Sequence, residues 1–370
     1  MNSPVYKIKD SVDLFLSDET YIMAYFMNTR HRKTFRVNKE LVSLLELIDG
    51  EKTLADIYDI MEKNHNVKKE QVDTVINSLC SNKIITVINE NNNILTTDEI
   101  KRYDRQINYF TEFLGSEEDG IKAQKKLMDS TILIFGCGAV GGDIAIELAM
   151  AGVNNIIIYD YDFVENSDKS RHIYYEEETI GIHKTEALKN RIKKINSSLN
   201  VHCIIQSMNP ETKIEEIIKD CDFVVNTLDE PYIGYTSSKI SRVCMKYRIP
   251  HYIAGGFDAH LASTGEIIIP YITPCVECYS SHFKEKLKNW KPKEHPVKTR
   301  YTEIGGMASM SLFSASYAVI EIIKYIAGLT DTKNSFKVRG EFLFTDMSLT
   351  YLEVNKNVNC PICGGKSDES

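Results

Sequence analysis

This 370-residue sequence lacks an apolar run long enough to cross a bilayer, any excess of positive charge, and the basic flank and apolar stretch that open a secretory signal. Each absence excludes a class of protein. Met307–Ile320 carries no charge, but it is only 14 residues long and Glu321 and Lys324 interrupt its continuation, so a buried helix is expected there and no membrane. Lys and Arg number 44 against 52 Asp and Glu, a formal charge of −8, which argues against general attraction to nucleic-acid phosphates. The start MNSPVYKIKDSVDL points to a reducing cytoplasm. Nine cysteines are too few for a disulfide-dense scaffold. With 43% hydrophobic and 26% charged residues, what remains is a globular chain long enough for two domains.

The first domain is expected over residues 1–97. Tyr6–Lys9 and Thr20–Phe26 read as strands between polar breaks. Asn38 caps a helix with Leu41, Leu44, Leu45 and Ile48 on one face, and Asp49-Gly50 stops it. Thr53 caps a second helix through Ile57, Ile60 and Met61, and a third carries Val72, Val75, Ile76 and Leu79. Lys83–Ile88 and Asn92–Leu95 read as a hairpin, completing a winged-helix-like α+β module. Such a module commonly reads DNA, yet residues 1–99 hold 12 basic and 16 acidic residues, the wrong sign for that role. The apolar pattern of residues 20–88 resembles PqqD-like elements that hold leader peptides. That resemblance implies a leader added as a strand at the sheet edge, beside the third helix.

From residue 98 strands and helices alternate: Thr131–Phe135, Ala139–Ala151, Asn155–Tyr159, Lys184–Asn196, Val201–Gln206 and Phe223–Asn226. That order predicts a Rossmann-like α/β domain with a mainly parallel sheet. Gly136, Gly138 and Gly141 form a GxGxxG turn between strand and helix, where the backbone can approach a phosphate. Asp160, at the end of the next strand, is placed to accept from ribose hydroxyls. By itself this pattern indicates a nucleotide, and a dehydrogenase is its commonest bearer.

Four further segments change that reading: RYDRQ at Arg102–Gln106, DYDFVENSDKSRH at Asp160–His172, GIHKTEA around Lys184, and FVVNTLDEP carrying Asp229. With two CxxC pairs, the ordered set resembles the ThiF/MoeB superfamily of adenylating enzymes over roughly residues 100–365. The resemblance implies that Arg171 and Lys184 bind the phosphates of ATP and that Asp229 holds Mg²⁺. It implies that Asp160, and less strongly Asp162, contact the nucleoside. It also implies that Arg105 enters the neighbouring site of a homodimer as an arginine finger. Without it, Arg102 and Arg105 read as cations on a solvated helix, Arg171 and Lys184 as ordinary exposed charges, and Asp229 as the start of a turn into Pro231. Asp168 departs from the superfamily's usual Asn and has no assigned role. Glu176–Glu178 reads as a solvated acidic run.

Cys275-Val-Glu-Cys278 and Cys360-Pro-Ile-Cys363 are knuckles separated by 81 residues. In a reducing compartment they indicate a single tetrahedral Cys₄ zinc site, structural because four protein ligands leave no open position. The superfamily's split zinc site strengthens that reading. Cys80, Cys137, Cys203, Cys221 and Cys244 read as small buried hydrophobes. No cysteine lies between Cys278 and Cys360, so the thioester nucleophile of ubiquitin-type relatives is missing from that segment. Lys284–Glu303, with seven basic and three acidic residues and the single Trp290, resembles the superfamily's crossover loop, expected at about 280–305.

Taken together, these features point to ATP-dependent adenylation of a carboxylate on a ribosomally made precursor peptide, as in microcin C-type or pantocin-type maturation. The alternatives are activation of the C-terminal Gly of a sulfur carrier protein and a leader-binding scaffold without catalysis.

Overall fold

Along Tyr21–Phe26 every second residue is buried, so Ile22, Ala24 and Phe26 form the inner face of an antiparallel strand. The computed structural model describes residues 3–17, 20–88, 94–258, 261–289, 306–330 and 339–364. It divides into two units, Met1–Lys125 and Lys126–Ser370.

The first unit contains β1 (Val5–Ile8), β2 (Val12–Ser17), β3 (Tyr21–Phe26), β4 (Arg32–Arg36), α1 (Lys39–Leu47), β5 (Asp49–Thr53), α2 (Leu54–His65), α3 (Lys69–Ser81), β6 (Ile85–Ile88), α4 (Thr97–Leu114) and most of α5 (Glu117–Asp129). Two three-stranded antiparallel sheets, β2-β3-β4 and β5-β1-β6, enclose a core of Leu44, Ile48, Ile57, Met61, Val72 and Ile76. Asn38 caps α1 through the Leu41 N–H, and Thr53 with Asp56 forms a capping box at α2, as the sequence indicates. The expected hairpin is a correction. β6 pairs with β1 instead, Ile94 and Leu95 form a turn, and residues 89–93 lie outside the described residues. Strands β4 and β5 carry too few apolar alternations to be read from sequence; β4 is Arg-Lys-Thr-Phe-Arg and β5 is Asp-Gly-Glu-Lys-Thr.

The second unit continues with β7 (Thr131–Phe135), α6 (Ala139–Ala151), β8 (Asn155–Tyr159), α7 (Lys184–Ile195), β9 (Asn200–Ile204), α8 (Glu215–Ile218), β10 (Phe223–Asn226), α9 (Ile233–Lys246), β11 (His251–Ile253), β12 (Phe257–Asp258), β13 (Leu261–Ser263), β14 (Glu266–Ile268), α10 (Val276–Leu287), α11 (Ala308–Ile326), β15 (Arg339–Leu343) and β16 (Ser348–Leu352). Six strands run in the order β14-β11-β10-β7-β8-β9, parallel except for β14. β12-β13-β15-β16 form a separate antiparallel sheet. Residues 132–135 of β7 are buried on both faces, which is why the strand reads as a continuous apolar run. The stretch expected to be a buried helix lies in α11, which packs on α6 and buries Met310, Ala315, Ala318 and Val319. No helix among the described residues is long and apolar enough to cross a membrane. The expected crossover loop begins inside α10, and Trp290–Glu303 lies outside the described residues.

The strand order reverses between β7 and β10, which opens a crevice at their carboxyl ends. Thr53→Ala removes the α2 cap and is expected to cost about 1 kcal/mol, read as a lower urea midpoint with unchanged slope.

Candidate functional site

The glycine turn is built by close approach. Gly136 has φ +96°, a left-handed conformation that favours glycine, and a Cβ there would strike Thr227. At Gly141 a Cβ would strike the carbonyl oxygen of Gly136. Thr227, the first residue after β10, donates its hydroxyl to the Phe135 carbonyl at 2.8 Å, tying the two strand ends of the crevice together. Gly138 caps α6, and a Cβ there would meet nothing within 4 Å, so the helix N-terminus opens onto free space.

Asp160 directly follows β8 and is 5% exposed. Its carboxylate accepts the Cys137 N–H at 2.6 Å and the Asp162 N–H at 2.9 Å. Burial pushes its pKa up, while these two N–H groups pull it down. Two side chains that sequence reading missed finish the turn. Tyr175 donates to the Cys137 carbonyl at 2.9 Å, and Tyr174 donates to the carbonyls of Cys137 and Gly138. The YY pair, two residues after His172, was the available signal.

Beside the turn lies a charged cluster. Lys184, the first residue of α7, reaches Asp162 at 3.3 Å and Asp168 at 3.8 Å. Burial acts to lower its pKa, but the nearby Asp168, Asp162 and Asp160 more than offset this and raise it, so the ammonium is charged at neutral pH. Arg171 reaches the same Asp168 at 3.6 Å and remains half-exposed. Asp168, whose role the sequence left open, is therefore the hub of the cluster. It is 3% exposed, caps the 3₁₀ turn Asn166–Ser170 through the Glu165 N–H at 2.9 Å, and faces both cations. His172 lies 3.4 Å from the same carboxylate, but burial lowers its pKa to about 4, so it is neutral. Asp229 is exposed just after β10, with no hydrogen bond or ion pair among the described residues, as a carboxylate free for a cation would be. Glu176, Glu177 and Glu178 are exposed, as expected of a solvated acidic run, and the first two pair at the surface with Lys194 and Lys169. The structure thus gathers Gly136, Gly138, Gly141, Asp160, Asp162, Arg171 and Lys184 in one place. Arg105 belongs to the first unit, where it is exposed on α4.

The four knuckle cysteines converge although 81 residues separate the pairs. Cys275–Cys360 is 3.5 Å, Cys278–Cys363 is 3.4 Å and Cys275–Cys278 is 3.9 Å, sulfur to sulfur, and all four are buried. A tetrahedral zinc–thiolate centre with bonds of about 2.3 Å needs sulfurs about 3.8 Å apart, so this donor set fits zinc. The Asn357 N–H points at the Cys278 sulfur at 3.4 Å, as in a thiolate shell. Of the other cysteines, Cys137, Cys221 and Cys244 are buried and Cys80 and Cys203 half-buried, and burial raises the thiol pKa of each.

A glycine turn on a helix N-terminus, a lysine–arginine cluster and an exposed carboxylate at a switch point are the features of a nucleotide-binding α/β enzyme. The chain belongs to the ThiF family, whose model matches residues 103–362, and it is an ATP-dependent adenylating enzyme. It is 28% identical to the vegetative HesA protein of Trichormus variabilis over 74% of this chain and 92% of that protein. It is 26% identical to the adenylyltransferase and sulfurtransferase UBA4 of Kluyveromyces lactis over 82% of this chain, and spans 64% of UBA4. Among solved structures, E. coli MccB superposes with TM-score 0.75 at 19% identity, covering 99% of this chain and 98% of MccB. PaaA superposes with TM-score 0.71 at 20% identity, covering 94% of this chain and all of PaaA.

Two predictions follow from the site. Metal analysis of the purified chain is expected to find one zinc per chain, lost in Cys363→Ala together with a fall in Tm. Asp143, on α6 behind the glycine turn, is 1% exposed with both oxygens unpartnered, and burial raises its pKa to about 7. A carboxyl whose folded pKa lies above its unfolded value destabilises the fold above that pKa, and the penalty fades as pH falls through it. Asp143→Ala is therefore expected to stabilise the chain by about 2 kcal/mol at pH 8 and by much less at pH 5, measured by urea unfolding.

Proposed function

We propose that this enzyme adenylates a carboxylate of a ribosomally made precursor peptide whose leader is held by the first unit. The observation that carries the reading is the extent of structural likeness. MccB, solved as the microcin C7 biosynthetic enzyme in complex with N-formylated MccA, matches nearly the whole chain, although the ThiF match begins only at residue 103. Open antiparallel sheet edges in the first unit suit a peptide added as a strand. In this reading residues 1–97 recognise the leader and residues 98–370 carry the chemistry, in a reducing cytoplasm.

The reaction is attack of a carboxylate oxygen on the α-phosphorus of ATP. A C–O–P linkage forms, the bond from Pα to the bridging oxygen breaks, and pyrophosphate leaves with that electron pair. Negative charge accumulates on the phosphoryl oxygens, and fixed cations in a partly dry site stabilise it. Lys184 and Arg171 supply that charge, and Asp168 holds both in place. The glycine turn and the α6 N-terminus take the phosphates, and Asp160 and Asp162 contact the nucleoside. Asp229 holds Mg²⁺, which when bound neutralises the departing phosphates. Arg105 of one protomer serves the site of the other in a homodimer.

A second reading has support of its own, because UBA4 carries the name adenylyltransferase and sulfurtransferase. Pyrophosphate release separates the two. A leader-bearing peptide is expected to stimulate release, while a Gly-Gly-ended sulfur carrier leaves it at background; the reverse result overturns the proposal. Lys184→Ala and Asp229→Ala are each expected to lower kcat/KM about 100-fold or more. Arg105→Ala and Lys184→Ala homodimers, inactive separately, are expected to regain activity on subunit exchange, and failure to do so removes the finger acting in trans.

A further inference from the structure

The adenylation chemistry assigns no part to the two tyrosines buried against the glycine turn, yet both of their hydroxyls are used. Tyr175 donates to the Cys137 carbonyl at 2.9 Å. Tyr174 donates to the same carbonyl at 3.2 Å and also to the Gly138 carbonyl. The two rings meet edge to face with centroids 4.5 Å apart, so packing as well as hydrogen bonding holds each hydroxyl. Burial pushes both phenols above their usual pKa, and each therefore remains a donor at neutral pH. The sequence makes room for this contact at a glycine outside the GxGxxG pattern. Gly142 has no positive φ to require glycine, but a Cβ there would strike the Tyr174 hydroxyl.

Peptide geometry gives these bonds a direction. The C=O and N–H of one trans peptide point opposite ways. Holding the Cys137 carbonyl against the phenols aims the Gly138 N–H away from them, and holding the Gly138 carbonyl does the same for the Ala139 N–H. Both N–H groups stand at the start of α6, where a helix supplies no partner of its own. The Gly138 carbonyl also accepts the Gly142 N–H at 2.9 Å, whereas the Cys137 carbonyl relies on the two phenols. An anion at this end of α6 thus meets donors instead of carbonyl oxygens. The same segment reaches the cations. His172 packs on both rings, with centroids 5.0 and 5.5 Å away, and lies 3.4 Å from Asp168, which faces Lys184 and Arg171.

We infer that Tyr174 and Tyr175 are positioning residues for the nucleotide, turning the Gly138 and Ala139 N–H groups toward the phosphates of ATP without touching the ligand. The inference rests on the proposed reading that the glycine turn takes those phosphates.

Isothermal titration of the full chain with ATP and with adenosine tests it, on wild type, Tyr174→Phe, Tyr175→Phe and the double variant. Each substitution keeps the ring and removes one hydroxyl. The double variant leaves the Cys137 carbonyl unpaired and is expected to bind ATP at least about tenfold more weakly. Its adenosine Kd is expected to stay within about twofold of wild type. A merely structural role loosens the whole site and weakens both ligands together. If the double variant fails to fold, the single variants carry the comparison, each expected to weaken ATP about threefold and adenosine not at all. The inference is overturned if the variants that fold keep the wild-type ratio of ATP to adenosine affinity. Lys184→Ala separates this failure from that of the underlying reading. Weaker ATP binding in Lys184→Ala alone overturns the role of the tyrosines and leaves the phosphate site standing. A wild type that binds ATP no more tightly than adenosine overturns both.

Discussion

The buried carboxylate of Asp160 holds the nucleotide site together. By accepting the N–H groups of Cys137 and Asp162, it fixes the glycine turn after β7 to the segment after β8. Neither oxygen is idle, and each of these bonds to a charged acceptor is worth more than an ordinary amide pair. The turn they fix is the one whose helix N-terminus faces open space. The segment they fix leads through Asp162 to Lys184, so the glycine turn and the lysine are set by one side chain. Loss of Asp160 would leave two buried N–H groups unpaired and release both halves of the site at once.

Around that anchor the charge is arranged to keep cations available. Lys184 and Arg171 both lean on Asp168, which is too buried to be screened by solvent and is also held by the Glu165 N–H. A buried carboxylate is unfavourable unless compensated, and here it is compensated by the two cations. Asp168 can thereby position both without itself touching ligand. The cluster of four cysteines works at a different scale. It joins the start of α10 to a short C-terminal segment that has little apolar surface of its own, so a metal held there would substitute for a core.

Much of this was legible in the sequence where a local rule applies. The caps at Asn38 and Thr53, the fully apolar β7 and the glycine spacing each follow from backbone geometry within a few residues, and the structure places them accordingly. β4 and β5 were not legible, because charged and small residues on a sheet edge carry no alternation. The expected pairing of Ile85–Ile88 with Asn92–Leu95 failed because β1, about eighty residues earlier in sequence, offered the partner. Tyr174 and Tyr175 were invisible as site residues, since nothing local says that their hydroxyls meet carbonyls of the glycine turn.

The sequence by itself determined the class of chemistry. Glycines where only glycine fits, a lysine at a helix start and cysteines in spaced pairs are residue types that few other structures require together. Tertiary structure alone decided how the charges are shared: which carboxylate holds the cations and caps the turn, as Asp168 does, and which remains without a partner, as Asp143 does. Those outcomes depend on burial and on distances of 3 to 4 Å between segments far apart in the chain. At that range solvation and Coulomb energy change steeply with position, and position in sequence does not encode it.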